Sequence, residues 1–133
     1  MAYIRCVRPT AEQSHHEVEL QLPATASAGT SMRYLLVNNS AYGVLTGASF
    51  GLEHESVNGW ETVTLRMAFA AVGIIIEPGQ SGQLYAPIPG DIAAGMYRLR
   101  QCFRLGRREG LGWGWRGGGP PVFEVSAAFR VTT

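Results

Sequence analysis

Hydrophobic and polar residues change places at every second position along several stretches of this chain, which is the period of a strand with one face buried. The stretch from Val122 to Val131 sets Phe123, Val125, Ala127, Phe129 and Val131 on one face and Glu124, Ser126, Ala128 and Arg130 on the other. Ala93 to Phe103 enters through Gly95 and turns Tyr97, Leu99 and Phe103 towards a core, with Arg98, Arg100 and, just beyond, Arg104 facing away. It reads as the central strand. Glu17 to Leu22 alternates in the same way, with Val18, Leu20 and Leu22 together, until Pro23 stops it.

The remaining elements follow from the same period and from turn chemistry. Small residues from Ala24 to Gly29 read as a connection, and Ser31 to Val37 is apolar enough for a central strand ending at Asn38-Asn39-Ser40. Thr46 to Glu55 gives a strand with Ala48, Phe50 and Leu52 on one face, and Asn58-Gly59 folds it into a hairpin with Trp60 to Leu65. Met67 to Ile76 is apolar on both sides and fits either a buried strand or an irregular crossover. Glu77-Pro78-Gly79-Gln80 closes it as a turn, and Gln83 to Ile88 is the next short strand. Helical periodicity is absent at any useful length. Roughly seven short strands separated by turns predict an all-β fold, an antiparallel immunoglobulin-like β-sandwich, with a small β-barrel as the alternative. Residues 1–16 read as an N-terminal arm, with a short strand expected at Tyr3 to Val7, and residues 17–133 as the sandwich domain.

Composition narrows the function classes. A chain of 133 residues, 46% hydrophobic, has material for one core, and 17 glycines with 7 prolines suit a turn-rich one. All 11 basic side chains are Arg, yet the formal charge is only +1, so no overall electrostatic pull on nucleic acid or anionic lipid follows. No apolar run approaches the roughly 20 residues needed to cross a bilayer, and no membrane insertion is expected. The opening Met1 to Cys6 does not form a secretory apolar core, so no signal peptide is expected in the chain.

The candidate chemistry lies in the stretch from Gly106 to Pro121, which reads as a loop projecting from one end of the sandwich. Trp113, Trp115 and Arg116, with Arg107 and Arg108, are residue types enriched at interface hot spots and are the candidate binding residues. The structural alternative is that both indoles fold back and cap the core. This stretch is Gly-rich but lacks the Lys-Ser/Thr ending and helix of a phosphate cradle, so no nucleotide or other cofactor is expected. Arg98, Arg100, Arg104, Arg107, Arg108 and Arg116 beside tryptophans could stack on nucleic acid. The near-neutral total favours instead a solvated face with arginines paired to Glu17, Glu19 or Glu124.

Glu53-His54-Glu55 and His15-His16 look like ligand clusters, but adjacent strand residues point to opposite faces and no third ligand converges on them. They read as surface histidines, and no metal is expected. No Gly-x-Ser-x-Gly elbow and no local nucleophile and base pattern occurs, so no catalytic residue is named and the chain is not expected to be an enzyme. Cys6 and Cys102 could form one disulfide, for which the arm would have to cross the arginine face of the central strand; free thiols are the alternative.

From Val37 to Val131 the chain resembles a family of bacterial immunoglobulin-like domains found in surface and secreted proteins. The resemblance is carried by Asn38-Asn39-Ser40, Gly47 to Glu53, Asn58-Gly59-Trp60, Glu77-Pro78-Gly79, Leu84-Tyr85, Pro89-Gly90, Gly95 to Arg98 and Ala127 to Val131. It implies a non-enzymatic Ig-like module with no catalytic residues to carry over. The N-terminal arm lies outside the pattern. The expected role is a structural or binding module displayed on the exterior of a larger assembly, such as a decorated phage virion, with a protein partner. The alternative is a carbohydrate-binding or adhesion module of a bacterial cell surface, stacking a surface glycan on Trp113 and Trp115.

Overall fold

The structure, a computed structural model, describes residues 17–109, 112–115 and 123–133, with the backbone alone for 108–109 and 112–115. The described residues form strands and no helix, so no helix among them is long and apolar enough to cross a membrane. The smaller sheet is antiparallel, in the order β1 (Val18–Gln21), β3 (Ser31–Asn38), β8 (Ser81–Pro87). The larger one runs through β2 (Thr25–Ser27), β11 (Phe123–Thr132), β9 (Gly95–Glu109), β4 (Gly43–Thr46) and β7 (Ile74–Ile76). Three further strands branch from that path: β5 (Gly51–Ser56) pairs with β9 and with β6 (Gly59–Thr62), and β10 (Gly112–Trp115) pairs with β9.

The all-β sandwich expected from the pattern is what the chain forms, with β9 at its centre. One edge of β9 carries β11 and then β10, and the other carries β5 and then β4. Inward positions of both sheets meet in one core: Val18, Leu20, Met32, Tyr34, Leu36, Leu84 and Ala86 from one, Val44, Leu52, Ile76, Tyr97, Leu99, Phe103, Phe129 and Val131 from the other. Each fully buried Leu or Phe contributes about 1.5–3 kcal/mol, so these positions hold the two layers together.

Four expectations need correction. Among the described residues the strands number eleven rather than about seven, because several are short or interrupted. Ala24 to Gly29 holds β2, which runs parallel to β11 and makes the larger sheet mixed; its small residues carry no apolar alternation to reveal it. Thr46 to Glu55 is not one strand. Thr46 lies opposite Phe103 and Gly51 opposite Arg100, so five steps on this side span three on β9, a bulge of two extra residues. Two is an even number, so Phe50 and Leu52 still point inward as their alternation requires. The hairpin turn at Asn58-Gly59 is present, with Gly59 at a φ of 102°, but its second strand ends at Thr62.

Met67 to Ile76 resolves into an irregular crossover with a short strand at its end. Val63, Leu65, Met67 and Phe69 are each half-buried against the core, and Phe69 meets Phe50 edge-on at 5.2 Å between ring centres. Burial with a period of two persists there without a strand partner.

Two networks join buried polar groups inside the sandwich. Gln101, fully buried, accepts a hydrogen bond from Tyr34 Oη (2.7 Å) and donates to Thr46 Oγ1 (2.8 Å) and Gly47 O (2.9 Å). Thr46 Oγ1 donates in turn to the carbonyl of Cys102 at 2.7 Å. Asn38, also fully buried, donates from Nδ2 to Tyr42 O (2.7 Å) and Ile76 O (3.0 Å), and its Oδ1 accepts from Ser40 N (3.0 Å) and Ser40 Oγ (2.6 Å).

Candidate functional site

The sequence placed its candidate residues in a loop from Gly106 to Pro121, and the structure corrects that. β9 continues to Glu109 and β10 returns along it, with Gly112 opposite Glu109, Trp113 opposite Arg108, Gly114 opposite Arg107 and Trp115 opposite Gly106. The stretch is therefore in part a β-ribbon. Gly112-Trp113-Gly114-Trp115 is itself a period-two pattern, and its glycines made it read as a loop. Arg116 lies outside the described residues.

The ribbon extends beyond the end of the β9–β11 pairing, which stops at Phe103 opposite Phe123. Beside it lies the Asn38 to Gly43 loop, since Gly43 opposes Gly106 on the other edge of β9. Asn38 fixes that loop from beneath and holds Tyr42 at the surface, where the residue is 36% exposed. The guanidinium of Arg107, itself exposed, stands 5.6 Å from the centre of the Tyr42 ring, within cation–π range. An aromatic ring, an arginine and a ribbon carrying Trp113 and Trp115 thus share one end of the sandwich. Tyr42 is the member the sequence pattern did not single out. Its signal was the turn run Asn38-Asn39-Ser40 followed by an aromatic residue with no strand to bury it.

The outer face of the larger sheet carries further arginines, of which Arg98 and Arg100 are paired. Arg98 Nε donates to Glu53 Oε1 at 2.6 Å, and Arg100 makes a two-pronged contact with Glu124, Nε to Oε1 at 2.8 Å and Nη2 to Oε2 at 2.5 Å. Arg100 Nε also lies 3.7 Å from Glu53 Oε1. The Glu124 hydrogen bond raises the Arg100 pKa, with burial opposing it, so Arg100 stays charged. Arg98 sits over the Trp60 ring at 4.7 Å. The expected partner Glu124 is thus found together with Glu53, which was not anticipated. Glu19 lies instead on β1, in the other sheet, and Glu17 just precedes that strand, so neither shares this face.

His54 departs from the expected surface position. It is half-buried, its ring 4.7 Å from that of Tyr97, because it shares the inward side of β5 with Leu52. His15 and His16 lie outside the described residues, and among those described no three His, Cys, Asp or Glu side chains group as metal ligands. Cys102 is half-buried and disulfide-bonded, while Cys6 lies outside the described residues.

Comparison with known proteins adds the following. A family described as Bacterial Ig-like domain matches residues 13–112. No curated protein sequence matches the chain. Among solved structures, the sporulation control protein Spo0M from Bacillus subtilis is similar at 10% identity and a TM-score of 0.47, over 88% of this chain and 49% of that one. The alkylpurine DNA glycosylase AlkC of Pseudomonas fluorescens, bound to DNA containing an abasic site analog, is similar at 14% identity and a TM-score of 0.36, over 88% of this chain and 31% of that one. The chain thus spans about half the length of the first and a third of the second.

Proposed function

Because the chain belongs to the bacterial Ig-like domain family, we propose that it is a non-catalytic structural and binding module displayed on the exterior of a larger assembly, a virion or a bacterial cell surface. Its contact with a protein partner is made by the end of the sandwich that carries Tyr42, Arg107 and the β9–β10 ribbon. The observation that supports this most is the ribbon itself: β9 runs on past its pairing with β11, beside a tyrosine that a buried asparagine holds at the surface. Extended pairing of this kind fixes backbone geometry before a partner arrives, which lowers the entropic cost of binding. Aromatic and arginine side chains then supply large contact area and charge-assisted hydrogen bonds. A photo-activated cross-linker placed in the native host at position 107 or 113 is expected to capture one defined partner, and one at Gln83, on the opposite sheet, is not. Tyr42→Ala with Arg107→Ala is expected to abolish the adduct. Equal capture from all three positions would remove the support.

A second reading rests on Trp113 and Trp115 occupying positions two apart on β10. Two such residues can stack consecutive sugar rings of a surface glycan. A glycan array with no hit, or with hits indifferent to Trp113→Ala and Trp115→Ala, eliminates it.

A further inference from the structure

We propose that β8 pairs with the β8 of a second copy of this chain, antiparallel about a two-fold axis at Gln83, so that two three-stranded sheets become one continuous sheet. β8 belongs to the smaller sheet and the ribbon extends from the larger, so this surface stands independently of the partner-binding end.

Among the described residues β8 ends its sheet, and it is the longest strand in such a position: seven residues, where β1 has four and β2 and β7 have three each. Edge strands are normally blunted by charge, proline or a bulge, because a bare row of N–H and C=O groups recruits other strands. β1 conforms, with Glu19 in it and Pro23 just beyond. β8 reads Ser-Gly-Gln-Leu-Tyr-Ala-Pro, with no charge and with proline only at its last position. It pairs with β3 residue for residue, from Pro87 opposite Ser31 to Ser81 opposite Val37, without a bulge. Tyr85 stands 56% exposed on its outer face, with half-buried Leu35 and Val37 one strand in.

The hydrogen-bond parity fixes which groups are open. Asn38 N donates to Gln80 O at 3.0 Å and Ile88 N donates to Thr30 O at 2.8 Å, and the register is continuous between them. Gly82, Leu84 and Ala86 therefore spend their backbone groups on β3, while the N–H and C=O groups of Ser81, Gln83 and Tyr85 point away from it. Both ends of that open row are closed: Gly79 N donates to Asn38 O at 2.8 Å, and Pro87 has no N–H. What remains is neutral and symmetric about Gln83, and its complement is a second copy of itself. Gln83 comes opposite Gln83, and Ser81 opposite Tyr85 on both sides of the axis, each pair exchanging two hydrogen bonds. Tyr85 of each copy then lies in line with Ser81 and Val37 of the other, and the middle row runs Leu35, Gln83, Gln83, Leu35, so no like charges meet. A charged peptide would find no counter-charge on this edge, since the nearest charge in the sheet, Arg33, lies one strand in on β3.

The test is sedimentation of the full chain from low-micromolar to sub-millimolar concentration. The mass is expected to rise from 14.4 kDa towards twice that value. Gln83→Pro removes the central donor of each edge but no bond to β3, and is expected to stay monomeric while melting cooperatively. Gln83→Lys and Gln83→Glu, at a position where either side chain reaches water, are each expected to stay monomeric through like-charge repulsion at the axis, and their equimolar mixture to regain the dimer. Any product of a photo-activated cross-linker at Gln83 is then expected to have twice the chain's mass, which sets it apart from an adduct of the ribbon end. A monomer at every concentration overturns the proposal, as does a dimer indifferent to Gln83→Pro and Gln83→Lys. Failure of the mixture to regain the dimer overturns the two-fold pairing.

Discussion

Gln101 is the buried polar side chain that links the two sheets. It joins Tyr34 of one sheet to Thr46 and Gly47 of the other, and no apolar replacement can do so. Gln101→Ala strands the Tyr34 hydroxyl and opens a cavity, and is expected to cost about 3 kcal/mol or more by chemical denaturation. Tyr34→Phe leaves only the Gln101 carbonyl oxygen unsatisfied and is expected to cost about 1–3 kcal/mol. The tyrosine also sets an alkaline limit. Burial pushes the Tyr34 phenol above its ordinary value of 10.0, so the folded state keeps a proton that the unfolded chain releases. The stabilisation is complete below pH 10 and drains as pH rises past it, by up to about 1.4 kcal/mol per unit. Tyr97 is shifted in the same direction by burial. Unfolding free energy measured from pH 8 to 11 is therefore expected to fall above 10, and less steeply in Tyr34→Phe. An identical slope in that variant would show that another group governs the limit.

At the scale of elements, the loop from Asn38 to Gly43 connects core to candidate site. One asparagine satisfies the carbonyls of Tyr42 and Ile76 and accepts from Ser40, so it ties β3, β4 and β7 together at the end that carries the ribbon. Asn38→Ala is expected to cost about 2–3 kcal/mol, since two buried carbonyls lose their donor, and to weaken partner binding by freeing Tyr42. Asn38→Asp keeps the acceptor for Ser40 but loses the donor, so it tests which half matters. Gly82 marks a second close approach: a Cβ there would stand 2.5 Å from Ile76 Cδ1, in a buried side chain with little room to move. Gly82→Ala is expected to destabilise by about 1–3 kcal/mol in thermal melts. The fold was legible wherever one face is buried, because Tyr97, Leu99, Phe129 and Val131 must alternate for the two layers to close. What escaped was what alternation does not encode. Gln101 occupies a core position that its polarity conceals, the bulge at Gly47 to Phe50 preserves parity and so leaves the pattern intact, and β2 is held by backbone pairing of small residues. The candidate site was half legible: Arg107, Trp113 and Trp115 drew notice by type, whereas Tyr42 owes its place to a buried asparagine several residues away.

For the whole molecule, the first and last segments must meet before the sandwich closes. β11 fills the long edge of β9 from Gly95 to Phe103 and takes β2 alongside it in parallel, Arg130 opposite Thr25 and Thr132 opposite Ser27. Its Phe129 and Val131 are each 1% exposed in the core, and Phe129 packs 6.3 Å from Tyr97 between ring centres. A chain ending at Val122 would keep ten strands in sequence yet lose these two side chains, worth about 1.5–3 kcal/mol each, and the partner along nine residues of β9. Against a total stability of roughly 5–15 kcal/mol that loss is enough to prevent folding, and the bare edge of β9 is then a template for aggregation. The truncated chain is expected to show no near-ultraviolet circular dichroism and no cooperative melting, with the signal restored by adding a peptide of residues 123–133 in trans. Cooperative melting within a few degrees of the intact protein would mean that the sandwich closes without its last strand, and that the core is not shared across both ends of the chain as the pairing of β2 with β11 requires.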